Sequence, residues 1–158
     1  SVLREAGETL QVDAERLLSG QLPSLPSDDD FASALVADIM WSDSYASSFR
    51  YDVDANQYLW QRDGVEAVAS DGSPVAVEAV LLASVDARPI PGDPNGRLYM
   101  ALNAGGSATL LLHGRAIEGT WSINGAVHFS DNAGQEFVLD PMGVWMALVP
   151  SSASVEIR

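Results

Sequence analysis

The segment HGRAIEGTWS, residues 113–122, brings together side chains that could do chemistry: His113, Arg115 and Glu118. A histidine near an acid is a common arrangement for proton transfer. However, His113-Gly114 occupies the place between two apolar strands where a two-residue hairpin turn often carries Asn-Gly, and histidine tolerates the left-handed backbone better than most residues. We therefore interpret His113 as a turn residue, and we retain Arg115 and Glu118 as candidate binding residues.

Acidic residues follow closely in the chain, at Glu118, Asp131, Glu136 and Asp140. Two carboxyl groups on either side of a glycosidic bond can hydrolyse it. A chain with 22 acidic residues contains such groupings without any catalytic purpose, and we expect Glu118 and Glu136 on the solvent faces of strands. A carboxylate-dependent hydrolase of cell-wall glycans, using Glu118 and Asp131, is our alternative function. In the preferred interpretation Glu118, Asp131 and Glu136 are binding residues.

The segment DVDAN places Asp52, Asp54 and Asn56 in the spacing that begins a calcium-binding loop. The next residue is Gln57 where such a loop needs glycine, and the twelfth position is Asp63 rather than glutamate. The pattern therefore favours a polar hairpin turn, and we predict no metal site.

Other catalytic and cofactor patterns are incomplete. The chain has no cysteine, and its two histidines, His113 and His128, do not have the spacing of a helical zinc site. Ser107 follows AGG without the G-x-S-x-G pattern of a nucleophile elbow. The glycine-rich segments GDPNG and NAGGS precede neither a helix nor a Lys-Ser pair, so they do not predict a phosphate site. We expect no catalytic residues, no cofactor and no enzyme activity.

The aromatic side chains give the strongest indication of binding, since exposed aromatics can stack on sugars or anchor a protein partner. Aromatic residues also fill the cores of small β domains, and this alternative stays open. Trp121 and Trp145 could be core residues that oppose one another. The candidate binding residues of this type are Trp60, Trp121 and Trp145.

The charge of the chain limits its partners. Eight cations, all arginine, stand against 22 acidic residues, which gives a net charge of -14. Binding to nucleic acid depends on clustered cations that neutralise phosphates, so we exclude it. An anionic membrane surface would repel this chain, and membrane association would therefore need an anchor outside this sequence.

The first 30 residues differ in pattern from the rest. Apolar residues recur every three to four positions through VLREAGETLQVDAERLLSG, which predicts a short N-terminal helical segment. The segment QLPSLPSDDD that follows is typical of a linker, because proline ends helices and adjacent aspartates favour solvent. We predict a helical lead-in and acidic linker over 1–30 and an antiparallel β domain over 31–158.

From residue 31 onward the apolar period becomes two, which predicts strands. Apolar residues alternate through 49–60, and a long strand that becomes buried on both faces toward its end is predicted over 75–85. Short strands with glycine turns between them continue to residue 149. The predicted fold is mainly β, an antiparallel meander, sandwich or open barrel with a short N-terminal helical segment.

The runs HGRAIEGTW and FSDNAGQEFVLDPMGVWMALVP resemble the C-terminal domain of the YerB-like lipoprotein family, and FRYDVDANQYLWQRDG is similar to an earlier hairpin of that family. The family pattern has a turn with glycine, a strand that ends in Thr-Trp, an F-x-D-x-x-G-x-E hairpin and a closing Leu-x-Pro-Gly-x-x-Trp. The matching residues are Gly114, Thr120, Trp121, Phe129, Asp131, Gly134, Glu136, Leu139, Pro141, Gly143 and Trp145. Met142 departs from the pattern, because it separates Pro141 from Gly143.

The resemblance implies a bacterial cell-envelope lipoprotein, extracytoplasmic and held at the membrane by a lipid-modified cysteine outside this sequence. It implies no established enzyme activity. We therefore expect a non-catalytic binding or scaffolding domain that engages a protein or a cell-wall component. A further alternative is a subunit that packs against the N-terminal half of a larger fold.

Overall fold

A computed structural model describes residues 32–139 and 143–158, and the expected N-terminal helical segment lies outside these residues. The described residues are mainly β, as predicted, and their one helix is a 3-10 turn at Leu102–Ala104. No helix among them is long and apolar enough to cross a membrane. The strands are β1 (Ala32–Ser33), β2 (Val36–Ser42), β3 (Tyr45–Asp52), β4 (Gln57–Arg62), β5 (Val65–Glu66), β6 (Ala76–Val77), β7 (Ala79–Val85), β8 (Ala87–Pro89), β9 (Leu98–Met100), β10 (Gly106–Leu112), β11 (Arg115–Asn124), β12 (Ala126–Asp131), β13 (Glu136–Val138), β14 (Val144–Pro150) and β15 (Ser154–Ile157).

The strands form two larger sheets and a separate ribbon. The first sheet has the order β13-β12-β11-β10-β7-β14, and β1 pairs with the first residues of β11. The second sheet has the order β15-β2-β3-β4-β5, and β6 pairs with β4. Among the described strands, β8 and β9 pair with each other alone. Neither larger sheet closes into a barrel, so the described residues adopt an open two-sheet arrangement.

An apolar core lies between the two larger sheets. The second sheet contributes Ile39, Phe49 and Tyr58, and the first contributes Val80 and Leu111; each of these side chains is at most 1% exposed. The alternation of side chains along each strand places these residues on the facing surfaces. Burying a side chain of this size stabilises the fold by about 1.5–3 kcal/mol, so this layer supplies much of the driving force for folding.

The opposite face of the first sheet is also apolar. Leu81, Leu110 and Phe129 lie on it and are at most 1% exposed, and the rings of Phe129 and Phe137 pack with their centroids 5.7 Å apart. Strand β7 is therefore buried on both faces. This explains its nearly continuous apolar sequence and confirms the expectation for a doubly buried strand.

The predicted strand over 75–85 is not continuous. Residues of β6 pair in the second sheet, whereas β7 pairs in the first, and the chain changes sheets at Glu78. The amides of Glu78 and Ala79 both donate to the carbonyl of Gly143, at 3.0 and 3.1 Å. Two-residue periodicity continues through the crossing, so the sequence pattern alone could not reveal it.

The prediction of an antiparallel domain is wrong for one strand pair. β14 runs parallel to β7, while the other pairings among the described residues are antiparallel. Parallel neighbours need a long connection, and here the intervening chain contains the ribbon and the β10–β13 meander instead of a crossover helix.

Candidate binding surfaces

Glu118 and Asp131 do not form a carboxylate pair. Asp131 lies opposite Gly119 in the β11–β12 register, so Glu118, one residue earlier, points to the other face of the sheet. Asp131 accepts hydrogen bonds from the amides of Ala133 and Gln135, at 2.9 and 2.8 Å, and so shapes the turn after β12. The two carboxylates therefore cannot flank one glycosidic bond in this structure. Asp140, the fourth acid of the group, lies outside the described residues.

Glu118 and Glu136 share one face of the first sheet, and both are exposed, as expected from the sequence. Glu118 accepts a hydrogen bond from the Thr109 hydroxyl at 3.0 Å, and Glu136 lies 2.8 Å from Nδ1 of His128. Thr109 lies opposite Glu118 on the neighbouring strand, and Ser130 lies opposite Glu136 and Thr120. These side chains lie on the same side of the first sheet as Val80 and Leu111, farther along β10 and β11 and across to β13. We call this exposed part of the sheet the polar face: Thr109, Glu118, Thr120, Ser122, His128, Ser130 and Glu136.

The polar face offers hydrogen bonds but no concentrated reactive centre. Ser122 is the cross-strand neighbour of His128, yet no hydrogen bond joins their side chains within the described part of the chain. Glu136 is 59% exposed, and ion pairs at that exposure contribute at most about 1 kcal/mol. Among the described residues, no group of three or more histidine or acidic side chains could hold a metal ion.

Trp121 lies in the core. Its side chain is 2% exposed, and Nε1 donates a hydrogen bond to the carbonyl of Ser84 at 2.8 Å. The indole reaches over Gly106, where an added Cβ atom would stand 3.2 Å from Nε1 and 2.7 Å from the Ser84 carbonyl oxygen. A ligand cannot reach Trp121 in this structure.

Trp60 and Trp145 pack against each other between the two larger sheets, with ring centroids 4.9 Å apart, and both are half-buried. Trp145 also meets Phe49 edge to face at 5.8 Å. Trp145 and Trp121 project from opposite faces of the first sheet. Trp145 aligns across the sheet with Ala116 of β11, and Trp121 lies an odd number of residues farther along that strand, where side chains point the other way. The expectation that these two tryptophans oppose one another was therefore wrong.

Arg115 begins β11, where it pairs with Ser33 of β1 and Leu112 of β10, and it is half-buried. It lies beside the turn formed by His113 and Gly114, whose φ angles are 52° and 74°. This confirms that His113 is a turn residue.

The candidate calcium segment also forms a hairpin turn. Asp52 Oδ1 accepts hydrogen bonds from the amides of Asp54 and Ala55, at 3.0 and 3.1 Å. Asn56 adopts a left-handed φ of 53°, and its side chain accepts a hydrogen bond from the Tyr51 hydroxyl at 2.6 Å. Asp52 and Asn56 thus hold the turn and the strand beside it.

Strand β9 lies among the short strands that the sequence predicts before residue 149, but β8 and its pairing with β9 were not predicted. We call residues 87–102 the arm. Four exposed apolar side chains lie along it: Ile90, Leu98, Tyr99 and Leu102, each 39–49% exposed. The guanidinium of Arg88 lies 4.9 Å from the centre of the Tyr99 ring. The short β-prone run at Leu98 and Tyr99 was the only sequence signal for this hairpin.

The tip of the arm is held by Asp93 and Arg97. The Asp93 carboxylate, 4% exposed, accepts hydrogen bonds from the Arg97 amide at 2.6 Å and from Nη2 of its guanidinium at 2.8 Å. These hydrogen bonds, from the side chain and then the backbone of Arg97, lower the pKa of Asp93 below 3.8. A hairpin isolated from the larger sheets is marginally stable by itself, so this contact helps to preorganise the arm.

A shallow, open depression of about 490 Å³ lies where β7 and β14 end. Asp86 is the one charged residue in its lining, and the rest are small or apolar. Ligand sites are usually enclosed and contain several convergent polar groups, so this depression does not have the character of an active site.

A sequence profile of the C-terminal domain of a protein of unknown function, DUF3048, matches residues 37–146, more than half of the chain. The chain belongs to the DUF3048 C-terminal domain family. This match and the structural comparison below confirm the YerB-like resemblance. A search of curated proteins found no significant match.

The DUF3048 C-terminal domain is similar in fold to the crystal structure of the YerB protein from Bacillus subtilis, with a TM-score of 0.64 and 23% sequence identity. The alignment covers 92% of this chain and 52% of the YerB chain. The chain thus spans about half the length of that relative. At this level of identity the comparison establishes a shared fold.

Proposed function

We propose that this DUF3048 C-terminal domain is a non-catalytic binding or scaffolding module of a bacterial cell-envelope lipoprotein, and that the arm engages a protein partner. The observation that carries this proposal is the position of the exposed apolar side chains. Of eleven large hydrophobic residues that are exposed among the described residues, four lie in the 13-residue stretch from Ile90 to Leu102. The other seven are spread over both larger sheets and their turns.

The chemistry of the arm suits contact with a protein. Tyrosine and arginine are enriched at the energetically dominant positions of protein interfaces, and Arg88 stacks on Tyr99 here. Pro89 and Leu98 lie on the face of the ribbon opposite to Arg88 and Tyr99, because successive residues of a strand alternate. Both faces of the ribbon are thus available, and a partner that receives the arm in a groove would bury both of them.

Localisation at the cell envelope rests on the YerB-like resemblance. Its test is protease treatment of intact cells, compared with lysed cells, that produce the full-length protein. Digestion of this domain in intact cells, once any outer membrane has been opened, supports an extracytoplasmic position. Protection until the inner membrane is broken would contradict it.

The arm is tested by incorporating a photoreactive phenylalanine analogue at Tyr99 of the full-length protein in its own cells. We expect a discrete crosslinked product with a second protein. The control position is Val53, which is 71% exposed in the β3–β4 turn and therefore at least as accessible. Equal crosslinking at positions 53 and 99, or none at 99, would contradict the proposal.

A further inference from the structure

Apart from the two-residue strands β1 and β6, the strand orders of the two larger sheets end in four edge strands, and β14 differs from the other three. β13 has three residues and contains Glu136, β5 has two and contains Glu66, and β15 has four and contains Glu156. Short length and charge are the usual protections of a sheet edge against another strand. β14 has seven residues, Val144–Pro150, and none of them is charged. Its register with β7 continues from end to end without a bulge.

The free edge of β14 presents a row of backbone groups. Ala79 donates its amide hydrogen to the Gly143 carbonyl, so alternation along β14 directs the backbone groups of residues 145, 147 and 149 toward β7. The amides and carbonyls of Val144, Met146 and Leu148 then point away from β7. Within the described part of the chain, no strand pairs with this side of β14. Pro150, which has no N–H group, ends the row.

We propose that the outer edge of β14 binds an extended segment of another protein by strand addition. Backbone hydrogen bonds with Val144, Met146 and Leu148 would hold the segment, and its apolar side chains would continue the apolar surfaces of the first sheet. This site is separate from the arm, and each is tested without the other.

The charge of the domain selects the chemistry of that segment. Two copies of a chain with net charge -14 repel each other, which disfavours pairing of β14 with β14 of a second copy. A segment with lysine or arginine beside its apolar residues is attracted by the same charge. The occupant is therefore an extended segment with alternate apolar residues and cationic flanks.

The test uses an eight-residue synthetic peptide in which valine alternates with threonine between terminal arginines, titrated into the ¹⁵N-labelled 158-residue chain. We expect the amide signals of Met146 and Leu148 to shift and their hydrogen exchange to slow. A peptide with glutamate at both ends should bind more weakly, and added salt should reduce that difference. Absence of any shift at β14 would overturn the proposal.

Leu148→Pro removes one outward amide, and it should weaken peptide binding about fivefold or more, since one hydrogen bond is lost and the proline ring obstructs the incoming strand. The matched control is Val155→Pro on the edge strand β15. Arg158 and Val36 exchange both of their backbone hydrogen bonds, and in an antiparallel pair every second residue does so. The next such residue of β15 is Glu156, so the amide of Val155, between hydrogen-bonded positions, points away from β2. Binding should be retained in this control. Equal binding by the wild-type and Leu148→Pro chains would overturn the proposal.

A peptide methylated on alternate backbone nitrogens keeps its side chains but loses its donors on one edge, and it tests the proposal even where a proline variant fails to fold. Peptides methylated on either edge are compared, and one of them should lose binding. Binding by both would contradict strand addition. Concentration-dependent dimerisation of the free chain through β14 would also overturn the proposal, because it would identify a second copy as the occupant.

Discussion

Nδ1 of His113 lies 2.7 Å from Oδ1 of Asn56, although 57 residues separate them in the chain. His113 belongs to the β10–β11 turn of the first sheet, and Asn56 to the β3–β4 turn of the second. An amide oxygen only accepts hydrogen bonds, so Nδ1 of His113 carries the proton. The Tyr51 hydroxyl donates to the same oxygen at 2.6 Å. These three side chains join the turns of the two sheets at one end.

Asn56→Ala should lower the free energy of unfolding by about 1–2 kcal/mol, because it removes both hydrogen bonds and places alanine at a left-handed φ. Asn56→Gly loses the same hydrogen bonds but tolerates that φ, so it should cost less. Urea denaturation of both variants measures the difference. Equal stability of the wild-type and Asn56→Ala proteins would show that the contact contributes nothing.

Gly119→Ala should be among the most destabilising single substitutions. An added Cβ atom would lie 2.0 Å from the Ser130 carbonyl oxygen and 2.9 Å from the Phe129 ring, and backbone must move to admit it. We expect a loss of about 3 kcal/mol or more. At Gly125 nothing lies within 4 Å, and only its positive φ resists alanine, so Gly125→Ala should cost about 1 kcal/mol. Thermal unfolding of the two variants checks this order, and a reversed order would contradict the packing around Gly119.

Trp121→Phe should lower stability by about 1 kcal/mol or more, because the Ser84 carbonyl loses its hydrogen-bond donor. Trp41→Phe is a matched control: Trp41 donates to the Ser47 hydroxyl at 2.9 Å, and it is only half-buried. Acrylamide should quench the fluorescence of Trp41 more than that of Trp121, as measured by the signal that each of the two variants loses relative to the wild-type protein. Equal quenching of the two would contradict the core position of Trp121.

The stability of the domain should fall in acid through Asp38. Burial raises the pKa of Asp38, but hydrogen bonds from Ser48 and Arg158, with the charge of Arg158, outweigh burial and bring the pKa below 3.8. Because the folded state binds this proton less readily than the unfolded state, the stabilisation is present above pH 3.8 and is lost as the pH falls through the folded pKa.

Asp38→Asn should flatten this acid limb in urea titrations from pH 7 down to the acid transition. Asp43→Asn, in the exposed β2–β3 turn, controls for the removal of one negative charge. An unchanged acid limb in Asp38→Asn would show that the contacts of Asp38 do not contribute to stability.

Local patterns predicted the β class and several turns correctly, because each depends on neighbouring residues. The positive φ of His113 followed from its place between two apolar strands, and the burial of β7 on both faces followed from its continuous apolar sequence. The change of sheet at Glu78 and the parallel pairing of β7 with β14 depend on contacts between distant segments. Two-residue periodicity does not encode such contacts.

The candidate site residues lie apart in the structure for the same reason: their positions depend on how distant segments of the chain pair and pack. Glu118 and Asp131 are close in sequence, yet the register of β11 with β12 places them on opposite faces. Trp121 carries the same binding potential as Trp60 in a sequence, but the glycine at position 106 lets its indole pack down onto Ser84. β8 and its pairing with β9 were not predicted because three prolines and two glycines interrupt the pattern from Pro89 to Gly96.

The most direct test of the proposed function is the crosslinking yield at position 99 of the full-length protein, measured with and without Leu98→Ser. Leu98 is 42% exposed on the face of the ribbon opposite to Tyr99, so its replacement should leave folding intact. It should weaken the binding of a partner that encloses both faces of the arm. We predict one crosslinked protein at position 99, a several-fold lower yield in the Leu98→Ser protein, and no such product at position 53. The same yield with and without Leu98→Ser, or the same product at position 53, would contradict a protein-binding role for the arm.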